Sequence, residues 1–203
     1  MKKNKRIRAF VIFLIILVLA LIGLNLYKTY IGVTPSTKKK LISNYPYYSY
    51  SDSTTLYKQK LRELESVLNH EPVDKLKYAK LISEMHAIDF YDLNSKTNNR
   101  NVGGLDFIHP DIKNNFREKA LDSDIYKDLD NAGFKKKGDL PIVSSVSSEG
   151  SNSNISIGNY KDSEGYKIKV SISYKKDLGY PKEIEYFLIN KDNLIYIVKM
   201  SSN

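Results

Sequence analysis

The sequence predicts an α+β fold, helices first and an antiparallel sheet after, for residues 53–203. Apolar residues recur with a period near 3.6 up to about residue 131, and beyond Gly138 the period drops to 2. A further observation sets that fold in context: residues 9–27, AFVIFLIILVLALIGLNLY, carry no charged side chain. At about 1.5 Å rise per residue such a helix spans roughly 28 Å, close to the ~30 Å hydrocarbon core of a bilayer.

The flanks of that stretch set the expected organisation. Lys2, Lys3, Lys5, Arg6 and Arg8 precede it, and Lys28 and Lys38–Lys40 follow. These nine account for the whole net charge of +9: the remaining 23 basic residues balance the 23 acidic ones. A fold that binds phosphate backbones carries its positive charge on the fold itself, so nucleic acid is not an expected partner. The apolar core is longer than that of a cleaved signal, and no Ala-x-Ala follows it, so an uncleaved anchor is expected. The compact basic cluster before it places the amino terminus in the cytoplasm and the domain outside the cell membrane. The expected division is a cytoplasmic tail at 1–8, a transmembrane helix at 9–27, a linker at 28–52 and an extracytoplasmic domain at 53–203.

Each element has a local reason. In the linker, Pro35 and Pro46 break periodicity, and Tyr45, Tyr47, Tyr48 and Tyr50 form a cluster that can pack on the domain, sit at a membrane interface or serve in recognition. Asp52 or Ser53 can cap a helix to about Asn69 with Leu61, Leu64, Val67 and Leu68 on one face. Pro72 can open a second helix to about Leu93, burying Tyr78, Leu81, Ile82, Met85 and Ile88, and the short turn between the two predicts an antiparallel hairpin. After an Asn-rich loop with Gly103-Gly104, His109 or Asp111 caps a third helix with Pro110 near its first position. Its buried side is Ile112, Phe116, Ala120 and Leu129, and Gly133 reads as its stop.

Four or five strands follow. LPIVSSVSS is a first strand, and NISIGNY a short second one or part of a bulged hairpin. YKIKVSISYK puts Tyr166, Ile168, Val170, Ile172 and Tyr174 on one face. EIEYFLIN and LIYIVKM are joined by a tight turn at Asn190-Lys191-Asp192-Asn193. Three helices on one face of a curved antiparallel meander is the expected architecture.

A single anchor, a helical hairpin, a third helix and an antiparallel meander resemble, in that order, the cone-shaped nuclear-transport-factor-two-like (cystatin-like) superfold. Membrane-anchored bacterial versions serve as inner-membrane assembly factors of conjugation and type IV secretion channels. The likeness lies in element order over residues 53–200, and no signature residues carry over. Phe90–Asn101 with Val102-Gly103-Gly104-Leu105 also resembles a family of clostridial envelope proteins.

No constellation for catalysis stands out. His70, His86 and His109 have neither HExxH nor paired spacing, and there is no cysteine for a thiolate site. His86 and Asp89, three apart on a helix, could reach one ion but lack a third ligand. Of the carboxylates at Asp89/Asp92, Asp122/Asp124 and Asp128/Asp130, the last two pairs sit two apart and point different ways. The serine run has no G-x-S-x-G, and Gly103-Gly104 has no Lys-Ser/Thr after it. No cofactor, metal or catalytic residue is therefore expected. A cleft between sheet and helices, lined by Tyr78, Met85, Phe116, Tyr166, Ile168 and Tyr186, is the candidate site; the same residues equally suit a packed core. The expected function is a non-enzymatic, single-pass scaffold that meets the lipid bilayer and other envelope proteins of a secretion, conjugation, division or wall-assembly complex. The alternative is a domain that binds a small molecule, a lipid or a peptidoglycan fragment.

Overall fold

The computed structural model describes residues 14, 17–20, 39–40, 42, 45–50, 52–96, 101–131 and 140–202. The chain divides into two compact units, residues 1–36 and 37–203. In the first, residues 14 and 17–20 are helical, and Leu14, Leu17, Val18 and Leu19 are exposed. The rest of the 9–27 stretch, the basic tail and most of the linker lie outside the described residues. Among those described, no helix is long and apolar enough to cross a membrane.

The second unit begins well before residue 53. Strand β1 (Lys39–Lys40) pairs antiparallel with β2 (Tyr48–Ser49). Tyr47 is buried in the core, so part of the expected linker is folded into the domain. Helix α1 (Thr55–Leu68) is capped by Thr54, which accepts the Tyr57 N–H, rather than by Asp52 or Ser53. Ser53 is engaged elsewhere: its hydroxyl accepts the Tyr50 N–H at 3.0 Å. Helix α2 (Lys75–Tyr91) starts three residues beyond Pro72, because the Asp74 carboxylate takes the Lys77 N–H at 2.9 Å and sets the cap there. It ends at Tyr91, where Asp92 turns to cap a 3₁₀ turn at Leu93–Ser95 and also accepts the Val143 N–H. Lys60 near the start of α1 meets Glu84 late in α2 at 2.9 Å, as the expected antiparallel hairpin requires.

Helix α2 is the axis of the core. Tyr78, Leu81, Ile82, Met85 and Ile88 are buried as expected, and so are Glu84, His86, Phe90 and Tyr91 on its remaining faces. A helix apolar nearly all round must be covered nearly all round, here by α1 and by the sheet. Helix α3 (Pro110–Asp122) has the expected His109 cap and Pro110 at its start. It does not run on to Leu129. Ser123 is extended, its hydroxyl and N–H both bond the Ala120 carbonyl, and a separate α4 (Asp124–Asn131) follows. Ala120 is buried, whereas Ile112, Phe116 and Leu129 are only partly covered. Gly133 lies outside the described residues.

The sheet has the order β3-β4-β5-β6, antiparallel throughout. β3 (Val143–Ile157) is one strand of 15 residues, so NISIGNY is no separate strand but, in the other expected form, part of a bulged hairpin with the next strand. The polar SSEGSNSN run stays in the ladder because β4 (Tyr160–Tyr174) pairs with it throughout, with irregularities absorbed at Val143/Ser145 and Ser153/Ile155. β5 (Glu183–Lys191) and β6 (Leu194–Ser202) follow. Their turn sits one residue further along than expected: Asp192 and Asn193 have φ of 52° and 64°, the positive values of a two-residue type I′ turn. The alternation in β4 holds, with Tyr166, Ile168, Val170 and Ile172 buried under the helices.

The β3–β4 hairpin outruns β5–β6, and its tip makes a second apolar cluster. Ile155, with Ile157 and Tyr160 beside it, packs on Ile189, Val198 and Phe187. Asp162 pins it by accepting the backbone and side-chain N–H groups of Asn190 at 2.7 and 2.9 Å. Tyr160 ends against the His109 ring, 4.8 Å between centroids. On the β6 edge, Ile108 bridges Ile197 in parallel, and the His109 N–H donates to the Ile197 carbonyl at 3.0 Å.

Candidate functional site

A groove of about 400 Å³ opens between the α1–α2 turn and the β5–β6 turn. Glu71, Val73 and Lys75 form one wall, Asn190 to Asn193 the other, and Tyr45 and Tyr78 the aromatic part. Tyr78 is 2% exposed, and its hydroxyl bonds that of Tyr47 and accepts the Ile195 N–H at 3.4 Å. Burial raises its pKa, so it stays a neutral hydroxyl at any ordinary pH. Tyr45 stacks on Tyr47 and meets Tyr78 edge-on, each 6.2 Å between centroids. Two ammonium groups, Lys75 and Lys191, and two carboxylates, Glu71 and Asp192, line the groove. Lys191 also lies 3.3 Å from His109 Nε2. Such a lining suits a ligand with an apolar body and charges of both signs.

A second polar centre is enclosed. His86 is fully buried, its ring stacked on Phe90 and set edge-on to Phe116 and Tyr186. Nδ1 lies 3.1 Å from the Tyr186 hydroxyl, while Nε2 is buried with no hydrogen-bond partner among the described residues. Burial pushes the pKa down to about 3; Lys96 adds to the shift and Asp89 opposes it, so the ring is neutral near pH 7. Asp89, one turn along α2, accepts from the Lys96 ammonium and from the Gly104 N–H at 2.6 Å. Burial alone would raise its pKa; the Lys96 charge and the Gly104 N–H outweigh it and hold the carboxyl below its usual range.

Gly103-Gly104 closes this centre. A Cβ on Gly103 would fall 1.9 Å from the Asp89 carbonyl oxygen, and one on Gly104, at φ 74°, 2.7 Å from His86 Cδ2. The Gly103 N–H donates to the Tyr126 hydroxyl, which in turn donates to the Phe90 carbonyl. Both glycines are thus required by close approach to α2, and Gly104 by its positive φ as well.

The six candidate cleft residues do not share one surface. Tyr78 lines the groove, Phe116 and Tyr186 surround His86, and Met85, Tyr166 and Ile168 are buried in the core. Two parts of the groove lie outside the expected cleft: Tyr45, from a segment read as linker, and the β5–β6 turn. The YPYYSY cluster was the available signal for the first. His70 is exposed in the α1–α2 connection, and His109 is buried at the start of α3, where burial and Lys191 lower its pKa. Among the described residues no three His, Cys, Asp or Glu side chains gather as a metal site. Compared with known protein families, curated proteins and solved structures, the chain matches none.

Proposed function

We propose that this chain is a non-enzymatic, single-pass membrane protein whose α+β domain stands outside the cell membrane and binds partner proteins of an envelope assembly. The observation that carries this reading is the uncharged stretch at 9–27 with five basic residues just before it. The domain's own charge is balanced, which supports protein partners over nucleic acid. A helical hairpin, further helices and a four-stranded meander support a likeness to the nuclear-transport-factor-two-like superfold, and with it a secretion or conjugation channel; one superfold hosts many functions, so the partners decide. Brief crosslinking of the full-length protein in its own membranes, followed by mass spectrometry, tests the reading. Recovery of channel, division or wall-assembly proteins supports it; a chain that partitions with soluble proteins refutes it.

A second reading rests on the groove at Tyr78. Its mixed charges and aromatic floor favour an extracytoplasmic ligand with both a carboxylate and an ammonium, such as a peptidoglycan stem peptide. Ligand at 100 times its dissociation constant would add about 2.7 kcal/mol of stability. A stem peptide that leaves the melting temperature unchanged at millimolar concentration removes this reading.

A further inference from the structure

The two edges of the sheet are unlike. β6 is covered by Ile108 and His109, whereas no described residue pairs with the outer side of β3. The ladder shows which backbone groups that edge presents. The Ile172 N–H is given to Lys182 across the β5 side, so Ile172 and its β3 neighbour Val146 exchange no bonds. By alternation Val146, Ser148, Gly150 and Asn152 turn both N–H and C=O to the open edge.

Open edges are usually blunted by shortness, lysine or proline. β3 runs 15 residues with no lysine and no proline, and Glu149 is its one charge. We propose that this edge pairs with the same edge of a second copy of the chain, antiparallel about a two-fold axis at Gly150, so that two sheets become one. The edge is its own chemical match: small hydroxyls and amides meet small hydroxyls and amides. A charged peptide finds only one charge there, and an apolar one finds serine and asparagine. The register follows from Glu149. Centring on Glu149 sets two carboxylates face to face, which is destabilising. Centring on Gly150 puts each Glu149 across from Ser151 and each Ser148 across from Asn152, with about six backbone hydrogen bonds between the copies.

The chain has no cysteine, so single cysteines can be placed without background. The full-length protein in mild detergent is mixed as Glu149→Cys and Ser151→Cys copies and oxidised gently. Glu149 and Ser151 face each other in a non-hydrogen-bonded pair of this register, the closer kind. The expected result is a mixed disulfide dimer forming at least tenfold faster than either like pair, and a dimeric mass for the unmodified chain at micromolar concentration. Asn152→Pro removes an N–H that faces the open edge and none that bonds β4, so it should give a monomer with unchanged circular dichroism. A monomeric unmodified chain, a dimer that survives Asn152→Pro, or equal crosslinking of like and unlike pairs overturns the proposal.

Discussion

Asp89→Asn tests the contact that ties the Gly103-Gly104 turn to α2. The carboxylate serves two donors at once, the Lys96 ammonium and the Gly104 N–H. An amide of the same shape can accept from only one of them, and its NH₂ faces the other. Lys96 is 5% exposed in its side chain and Asp89 27%, so the ammonium left behind has little water to turn to. Breaking one side of a buried pair costs about 3–5 kcal/mol, and the partial exposure of Asp89 places this case near the lower end, about 3. In a domain of this size that lowers the melting temperature by roughly 6–12 °C. The assay is urea unfolding of the full-length chain in mild detergent, followed by near-ultraviolet circular dichroism of its tyrosines. Asp89→Asn with Lys96→Met should recover at least half of the loss, since the amide oxygen then serves Gly104 alone and no charge is stranded. A single-variant loss under about 1 kcal/mol, or a double variant as weak as the sum of the singles, would refute the assignment.

The same pair sets one acid response. The folded pKa of Asp89 lies below its unfolded value, so its contribution is present above about pH 4 and is lost as pH falls through the folded pKa; Asp89→Asn should lack that loss in acid unfolding curves. His86 acts over a different window: between pH 6.5 and about 3 the unfolded chain holds a proton that the folded chain refuses. Stability should therefore fall on acidification by up to about 1.4 kcal/mol per pH unit, and His86→Leu should flatten that slope. Gly104→Ala, strained by its φ of 74° and pressed on His86, should cost about 2–4 kcal/mol in urea unfolding, whereas Gly158→Ala, at φ 57° with open space around it, should cost only about 1–2. Tyr47→Phe removes the hydroxyl partner of Tyr78, at about 1–2 kcal/mol, and should speed proteolysis between residues 37 and 52.

The sequence made legible what depends on period, and one of the three expected helix starts. The inward face of β4 and the buried side of α2 follow from apolar spacing, and the His109–Pro110 start of α3 follows from local chemistry. Competing hydrogen bonds hid the rest. Ser53 looks like a cap but is taken by Tyr50, which hands the role to Thr54. Ser123 breaks the third helix by turning its hydroxyl and N–H on one carbonyl, and no composition signal marks it. Tyr47 sits in a stretch rich in Pro, Ser and Lys, yet its ring packs on Phe107 and its hydroxyl finds Tyr78 in the core. The groove stayed hidden for a related reason: its walls are two turns and a segment without period, brought together by tertiary packing alone.

The Ser/Asn run of β3 shows how far a pattern can mislead and what that implies. Alone, SSEGSNSN has the composition of a loop, and β-propensity argues against a strand. It is held extended by β4 across the ladder and by the Ser148 hydroxyl, which donates to Glu84 on α2 at 2.6 Å. Glu84 is in turn fixed by Lys60 of α1, so the helical hairpin reaches through one carboxylate to the middle of the edge strand. A loop would have satisfied its own backbone with water and turns. Here alternate residues are left with backbone groups directed away from the sheet, and between them stand Ser147, Glu149 and Ser151. The feature that concealed the middle of the strand in the sequence, small polar residues with a single charge, is the same one that leaves its edge able to accept another strand.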